Sequence, residues 1–462
     1  MTAKGSDQKD PFLQVGESLM THPAFKDLSY SSQITYILMC MAMNHAHHNG
    51  KLEFIFPRSV YSGKYGISNN AFDHAKKELV DHGFITYISG KNQRVSSKYK
   101  MSNSWKYWNK EFWNKVKEGM EAAVKDVNDA GGINGTKLSY VFEDDEADSG
   151  DKAVNAYNAL KDNGMQVMVG TVTTGSCLAV IEKTKQDNIF QLTPSASAQD
   201  VIKNDNCFQV CFTDPNQGKG SADYIAENKL ATKIAVIYDS SDAYSSGIFN
   251  TFKSEAEAKG LDIVAEQSFT KDSKTDFSAQ ISAAKNAGAD LVFLPIYYQQ
   301  ASLILTQCKS ANYNPTFFGC DGLDGLLSIK NFDTSLCEGV MLLTPFAADA
   351  QDQATQDFVK KYKDAYNGET PNQFAADAYD GVMVLAELMK KEGITADMSA
   401  SDICDKLKKA ISDKDFSYDG LTGTGMKWGE DGAVSKDPKA VIIKNGAYSA
   451  LTADDIAAST AQ

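Results

Sequence analysis

Ten short apolar runs, separated by amphipathic stretches, fill the chain from residue 137 to residue 444. They lie at 137–142, 166–169, 189–192, 207–212, 233–238, 262–268, 290–296, 316–318, 339–343 and 440–444. Helical periodicity occupies most of the intervals. The first helix, 113–128, sets Val116, Met120, Ala123, Val124 and Val127 on one face and stops at Gly131-Gly132. Strands that alternate with helices in this way build doubly wound parallel sheets, and this many strands implies two lobes. In such sheets ligands bind at the carboxyl ends of the strands.

Two of those strand ends carry hydroxyl-rich turns. Met168-Val169-Gly170-Thr171-Val172-Thr173-Thr174-Gly175-Ser176 reads as a buried strand end, a turn and a helix running from Cys177 to Lys185. Some twenty residues later Thr193-Pro194-Ser195-Ala196-Ser197 repeats the arrangement after Ile189-Phe190-Gln191-Leu192. The first turn of a helix offers unpaired N–H groups and the positive end of the helix dipole. Hydroxyls just ahead of it make a seat for a carboxylate. Two such turns on neighbouring parallel strands are expected to converge on one anion, as half of a small-molecule cleft.

A length of 462 residues allows two to four domains. The net charge of −14 conceals a break. Residues 1–105 hold 12 Lys and Arg against 8 Asp and Glu, and the remainder holds 34 against 52. All six His and both Arg, Arg58 and Arg94, precede residue 106. Two unlike sequences therefore meet near Trp105. The acidic remainder argues against nucleic acid as its partner, while the mildly basic front permits one. No run approaches the length of a membrane span, and the start lacks a secretory signature, so the chain as written is expected to be cytoplasmic. The eight Cys show no metal spacing and read as scattered buried thiols.

In the front part, 29–46 reads as a helix, 51–56 as a short strand and 58–64 as a short helix. Ser68 caps a longer helix, 69–82, with Phe72, Ala75 and Leu79 on one face. A hairpin follows at 85–89 and 94–101, around Gly90-Lys91-Asn92-Gln93. This order resembles a winged helix-turn-helix, and Ser97-Lys98-Tyr99-Lys100-Met101-Ser102-Asn103-Ser104-Trp105-Lys106 is similar to the wing end of replication-initiator and regulator domains on plasmids and phages. The resemblance implies binding of double-stranded DNA through residues 1–106, with the helix from Asn69 in the major groove. Asn69, Asn70, His74 and Lys77 would face bases, and Lys91, Arg94 and Lys98 would meet phosphates. The alternative is a protein-contact domain whose charges form a solvated face. His45, His47 and His48 sit at a helix C-terminus, where the dipole alone favours them, so no metal is assigned.

Over residues 110–450 the motifs resemble a second family. Asn128-Asp129-Ala130-Gly131-Gly132-Ile133-Asn134-Gly135, Asp144-Asp145, Gly170-Thr171, Thr193-Pro194-Ser195, Thr213-Asp214 and Tyr238-Asp239 fall in its order, as do Gly319-Cys320-Asp321-Gly322 and Phe374-Ala375-Ala376-Asp377-Ala378-Tyr379-Asp380. The chain is similar to the branched-chain amino-acid class of ABC-transporter substrate-binding proteins. That resemblance implies a type I periplasmic-binding fold of two Rossmann-like α/β lobes closing on an amino acid. Lobe one would be 110–213 plus 346–417, and lobe two 214–345 plus 418–455. Thr174 and Ser197, with the backbone at Ser195 and Ala196, would hold the ligand carboxylate. Asp321 would pair its ammonium, and Tyr244 with Tyr297 or Tyr298 would close over it. A transporter permease is the implied partner. The family is extracytoplasmic, and no cofactor is implied. A zwitterion needs donors at one end and a carboxylate at the other, both desolvated.

Catalytic and metal lookalikes fail. Gly218-Lys219-Gly220 lacks the spacing of a phosphate loop. Asp144, Glu146 and Asp148 alternate like a calcium loop, but Ser149 stands where Gly is required. Ser176 has no His after residue 106 to activate it, so no enzyme is expected.

The family begins with an apolar strand, where this chain has Tyr99-Lys100-Met101-Ser102-Asn103-Ser104-Trp105-Lys106-Tyr107-Trp108-Asn109. A central strand with four large aliphatic residues contributes on the order of 6–12 kcal/mol, comparable with a domain's whole stability of roughly 5–15 kcal/mol. Two readings follow. One is a substrate-binding protein truncated at its N-terminus and fused to a DNA-binding winged helix, with amino-acid binding weakened or lost. The other is a ligand-responsive regulator with a periplasmic-binding-like sensor.

Overall fold

A computed structural model describes residues 19–20, 25–26, 28–47, 54–81, 84–88, 97–101, 111–145, 150–271, 273–329 and 332–460. The chain divides into two units, residues 1–110 and 111–462.

In the first unit, α1 (Tyr30–His47) is followed by β1 (Phe54–Ile55), α2 (Arg58–Tyr61), α3 (Asn69–Asp81), β2 (Ile85–Ile88) and β3 (Lys98–Met101). The strands form an antiparallel sheet in the order β1-β3-β2. The Ser68 hydroxyl accepts the Ala71 N–H at 3.2 Å, which caps α3. Phe72, Ala75 and Leu79 are buried on one face of α3, and the Phe72 ring stacks on Tyr61 with centroids 3.9 Å apart. Asn69, Asn70, His74 and Lys77 lie exposed on the other face, and Lys98 is exposed on β3. Lys91, Arg94, His48 and the side chains of His45 and His47 lie outside the described residues.

The second unit opens with α4 (Glu111–Asp129), α5 (Gly150–Asp162), β4 (Val167–Val169), α6 (Thr174–Asp187), β5 (Phe190–Thr193) and β6 (Cys207–Gln209). These three strands form a parallel sheet in sequence order. Next come α7 (Asp214–Asn228), β7 (Ile234–Asp239), α8 (Ala243–Lys259), β8 (Ile263–Phe269), α9 (Ser278–Asn286), β9 (Leu291–Leu294), α10 (Tyr298–Ser310), β10 (Thr316–Gly319) and β11 (Met341–Thr344). After α11 (Gln353–Ala365), α12 (Gln373–Lys391) and α13 (Ala400–Ile411), the chain ends in β12 (Lys439–Lys444), β13 (Ala447–Ala450) and α14 (Ala453–Thr460).

The second sheet has seven strands in the order β13-β12-β11-β10-β9-β7-β8. Its middle is parallel, and Leu291–Leu294 is buried at every position, as strands covered on both faces must be. Helix α12 lies along α4, and α13 lies against β4 and β5, so the chain leaves the second sheet after β11, returns to the first, and re-enters the second at β12. The α4–α12 approach is close: a Cβ on Gly119 would stand 2.1 Å from the Ala375 carbonyl oxygen.

Three expectations need correction. Residues 137–142 form no strand, because among the described residues no strand stands beside them to complete a ladder. The second sheet is not wholly parallel: β12 and β13 pair antiparallel at its edge. The hairpin partner β13 and the terminal helix α14 were not anticipated, since Ala447–Ala450 carries no apolar run and owes its state to pairing with β12.

Candidate functional site

The candidate side chains of the second unit stand at or just beyond the carboxyl ends of parallel strands. Thr174 opens α6 five residues after the end of β4. Ser195, Ala196 and Ser197 follow β5, Tyr244 sits in the first turn of α8 after β7, Tyr297 follows β9, and Asp321 follows β10.

The two hydroxyl turns converge. The Thr174 hydroxyl accepts the backbone N–H groups of Ser197 and Ala198, each at 3.4 Å. Ala196 commits its N–H to the Thr193 hydroxyl at 3.1 Å, and its carbonyl to the Gln209 amide at 2.9 Å and the Cys211 thiol at 3.4 Å. The Ser195 and Ser197 hydroxyls are buried with no hydrogen-bond partner. An unmatched buried hydroxyl costs about 1–3 kcal/mol, so Ser195 is a donor awaiting an acceptor.

Across from these turns lies an acid. The Tyr244 hydroxyl donates to Asp321 Oδ1 at 2.7 Å and accepts the Gly322 N–H at 2.9 Å. Position 322 must be glycine for this approach, since a Cβ there would lie 2.6 Å from the Tyr244 hydroxyl. The Asp321 N–H donates to Gln217 Oε1 at 3.3 Å, and the Asp321 carbonyl accepts from Gln373 Nε2 at 3.1 Å. Gln217 Nε2 and both carboxylate oxygens of Asp214 are buried and complete no hydrogen bond. The Ser197 hydroxyl is the polar side chain beside Asp214, close enough to favour its ionised form slightly.

The two sides meet. The Asp214 N–H donates to the Ser197 carbonyl at 2.8 Å. The Tyr297 ring stacks on Tyr244 with centroids 4.7 Å apart, and its hydroxyl lies by the Thr174 backbone N–H. Tyr298 is placed elsewhere: it is buried in the apolar core with Leu323 and Leu326, and its ring covers Gly325, where a Cβ would come within 2.6 Å. Of the two tyrosines, Tyr297 is the one at the site.

Burial sets the electrostatics. It pushes Asp321 up to about 7, with the nearby Asp377 adding to the rise and the Tyr244 hydroxyl opposing it. Asp324 is likewise raised to about 7, and Asp377 to about 6 despite Lys436. Burial also holds Asp214 well above the ordinary carboxylate range. Lys436 Nζ is committed to Asp377 Oδ1 at 3.1 Å and the Thr422 hydroxyl at 2.6 Å. Among the described residues no Lys or Arg forms an ion pair with Asp214 or Asp321. These two acids thus have no cation of their own among the described residues, and the Ser195 hydroxyl has no acceptor.

Sequence reasoning assigned no role to Asp214, Gln217 or Gln373. Thr213-Asp214 was noticed as a motif, but the usable signal was an acid at the first turn of a helix, ahead of Pro215, with an amide three residues on. Helix starts favour such acids for dipole reasons alone, so the position did not stand out. All eight cysteines are free, and no group of three or more His, Cys, Asp or Glu among the described residues is arranged to hold a metal. No helix among the described residues is long and apolar enough to cross a membrane.

Residues 111–447 match the periplasmic binding protein family. A Leu/Ile/Val-binding protein homolog from Brucella melitensis is 30% identical over 293 residues, covering 63% of this chain and 77% of the relative. A leucine-, isoleucine-, valine-, threonine- and alanine-binding protein from Pseudomonas aeruginosa is 29% identical over 277 residues, covering 60% of this chain and 73% of the relative. Among solved structures, the leucine-binding protein LivK of Thermotoga maritima superposes with a TM-score of 0.66 at 25% identity, covering 74% of this chain and 93% of that one. The Streptococcus pneumoniae branched-chain amino-acid transporter substrate-binding protein LivJ, solved with isoleucine, gives a TM-score of 0.66 at 25% identity and covers 73% and 93%. The chain therefore belongs to the periplasmic binding proteins of type I, in the branched-chain amino-acid-binding group of two-lobed transporter substrate-binding proteins, which are not enzymes.

Proposed function

We propose that residues 111–455 bind a neutral aliphatic amino acid as the substrate-binding component of an ABC transporter, delivering it to the permease. Lobe one comprises 110–213 with 346–417, and lobe two 214–345 with 418–455. The Ser195 and Ser197 hydroxyls, with the amide end of α6 at Thr174, take the ligand carboxylate. Asp321 and Asp214 take its ammonium, and Tyr244 and Tyr297 close over its backbone. The observation that carries this reading is the gathering of buried polar groups that complete no hydrogen bond, the Ser195 hydroxyl and Gln217 Nε2 as donors and the Asp214 oxygens as acceptors. A zwitterion satisfies both sets at once. Calorimetry of the full chain with leucine, isoleucine, valine and alanine tests it. Micromolar binding of at least one is expected, and no heat with any of the four would overturn it.

For residues 1–106 the reading is a winged helix-turn-helix that binds duplex DNA. Support comes from the order of helices and antiparallel strands, and from the exposure of Asn69, Asn70, His74 and Lys77 along one helix. Binding to random-sequence duplex at rising salt is the check, with a steep fall in affinity expected. Duplex affinity that shifts when amino acid is added would favour the ligand-responsive regulator over the transporter component.

A further inference from the structure

A second cavity lies away from the cleft, at the edge of the three-stranded sheet. It has a volume of about 330 Å³ and is lined along one side by residues 136–142 and along another by residues 163–169, which include all of β4. Met120 and Val124 of α4, with Leu385 and Met389 of α12, supply apolar surface to it.

One wall is the edge of β4 and the other is a stretch outside any ladder, with no strand between them among the described residues. Among the described residues β4 pairs only with β5, which leaves its other edge without a neighbour. The opposing stretch is held in place although it belongs to no ladder: the Asn128 side chain accepts the Leu138 N–H at 2.7 Å and donates to the Leu138 carbonyl at 2.9 Å. The bridge between Ile133 and Thr136 fixes the turn leading into it. Along an extended chain, successive residues present their backbone groups to opposite sides. With Leu138 committed to Asn128, the groups of Ser139 and Val141 belong to the other side, and neither makes a backbone hydrogen bond among the described residues. Leu138 and Phe142 are half-buried against the core, while Tyr140 and Val141 are 51% and 55% exposed.

We infer that this slot accepts an extended apolar peptide strand from another polypeptide, inserted parallel to β4. Two walls with unmatched backbone groups call for a partner that presents donors and acceptors at a two-residue repeat, and a polypeptide strand has that chemistry. β4, β5 and β6 run parallel, and the interior of a parallel sheet is covered on both faces. The occupant is therefore a run of consecutive aliphatic residues rather than an alternating one, about five residues long to span β4 and the facing stretch.

The test uses the full chain and a fluorescein-labelled Val-Ile-Val-Ile-Val peptide capped with lysines, followed by fluorescence anisotropy. A counterpart methylated on alternate backbone nitrogens has nearly the same side-chain surface but cannot form the ladder. Saturable binding of the first peptide is expected, at least roughly tenfold tighter than the second. Val141→Pro and, separately, Ser139→Pro should each weaken it by a similar factor, since both positions are exposed and the change removes a ladder donor. Equal binding of both peptides would show a nonspecific apolar pocket and overturn the inference. Binding of neither peptide would overturn it, as would self-association of the chain that leaves the peptide unbound. Amino-acid calorimetry on the same sample reads the cleft alone, so failure at one site leaves the other undecided by that result.

Discussion

The Tyr244 hydroxyl donates to the Asp321 carboxylate at 2.7 Å, and among the described residues no Lys or Arg pairs with this acid. Tyrosine orients the carboxylate but cannot neutralise it, which leaves the charge for a ligand ammonium. Asp321→Asn keeps the shape and removes the charge. Loss of one partner of a buried charge pair costs about 2–5 kcal/mol, so amino-acid affinity should fall roughly 30-fold or more by calorimetry. The ligand-free protein should lose no thermal stability at pH 8, because the variant also removes a buried, unpaired carboxylate.

Acidification should weaken ligand binding. Asp321 in the ligand-free fold is raised to about 7, so below that pH it carries a proton that an incoming ammonium must displace. Affinity should be flat above about pH 8 and fall as pH drops through about 7, with proton release on binding read by calorimetry in two buffers of different ionisation enthalpy. The ligand-free stability has the opposite sign. Asp321, Asp324 and Asp377 all have folded values of about 6 to 7, above the ordinary value near 4 of an unfolded chain. The native state then holds more protons than the unfolded one between those limits, so these groups add stability as pH falls from about 7 towards 4. Urea midpoints across that range check it.

Ser195→Ala should separate stability from binding. Its buried hydroxyl has no partner in the ligand-free chain. Deleting it removes a desolvation cost and should leave the melting temperature unchanged or higher, within about 1–3 kcal/mol of stabilisation. The same change deletes a donor to the ligand carboxylate, and affinity should fall about tenfold. A variant that loses stability and keeps full affinity would show that the hydroxyl is a structural one.

The parts of this molecule legible in the sequence are those with strong local patterns. Leu291–Leu294 is apolar at every position and is a buried strand. Thr174 and Ser197 were placed together because each follows a strand end, and one backbone contact at 3.4 Å now joins them. What was not legible depends on partners distant in sequence. Leu138, Tyr140 and Phe142 alternate as a strand should, yet the stretch has no ladder because a strand needs a neighbour as well as a pattern. Gln373 reaches the Asp321 carbonyl from 52 residues away on α12, a relation no spacing rule reveals. Tyr297 and Tyr298 differ by one position, and only the start of α10 decides which faces the cleft.

Gly119→Ala should loosen the first lobe. A Cβ there would meet the Ala375 oxygen at 2.1 Å, its carbon at 2.8 Å and its Cα at 2.9 Å, all backbone atoms of α12. Backbone cannot swing aside as a side chain can, so α4 and α12 must move apart. Overpacking of this kind costs about 1–3 kcal/mol, although alanine is the better helix former by roughly 1 kcal/mol. A lowered urea midpoint is expected, with faster hydrogen exchange in α4 and α12 and little change in α8, which packs on α7 and β7.

Lys436 and Asp377 form an ion pair at 3.1 Å with both side chains at 0% exposure, and Thr422 accepts from the same ammonium at 2.6 Å. The pair joins α12 to the segment that carries the chain back to β12. Asp380, one turn further along α12, grips the same segment by accepting the Leu421 and Thr422 N–H groups at 2.9 Å each. Lys436→Met strands Asp377 in the interior and should cost about 3–5 kcal/mol at pH 8. Asp377 already sits at about 6 with its cation present, and removal of the cation raises it further. The variant's Asp377 therefore protonates at a higher pH than the parent's, and the penalty should shrink at pH 5.5. The double variant Lys436→Met with Asp377→Asn leaves no charge to strand. Its urea midpoint at pH 8 should recover most of the loss, whereas a double variant as unstable as the single one would show that packing by the lysine stem, not the charge pair, holds the segment.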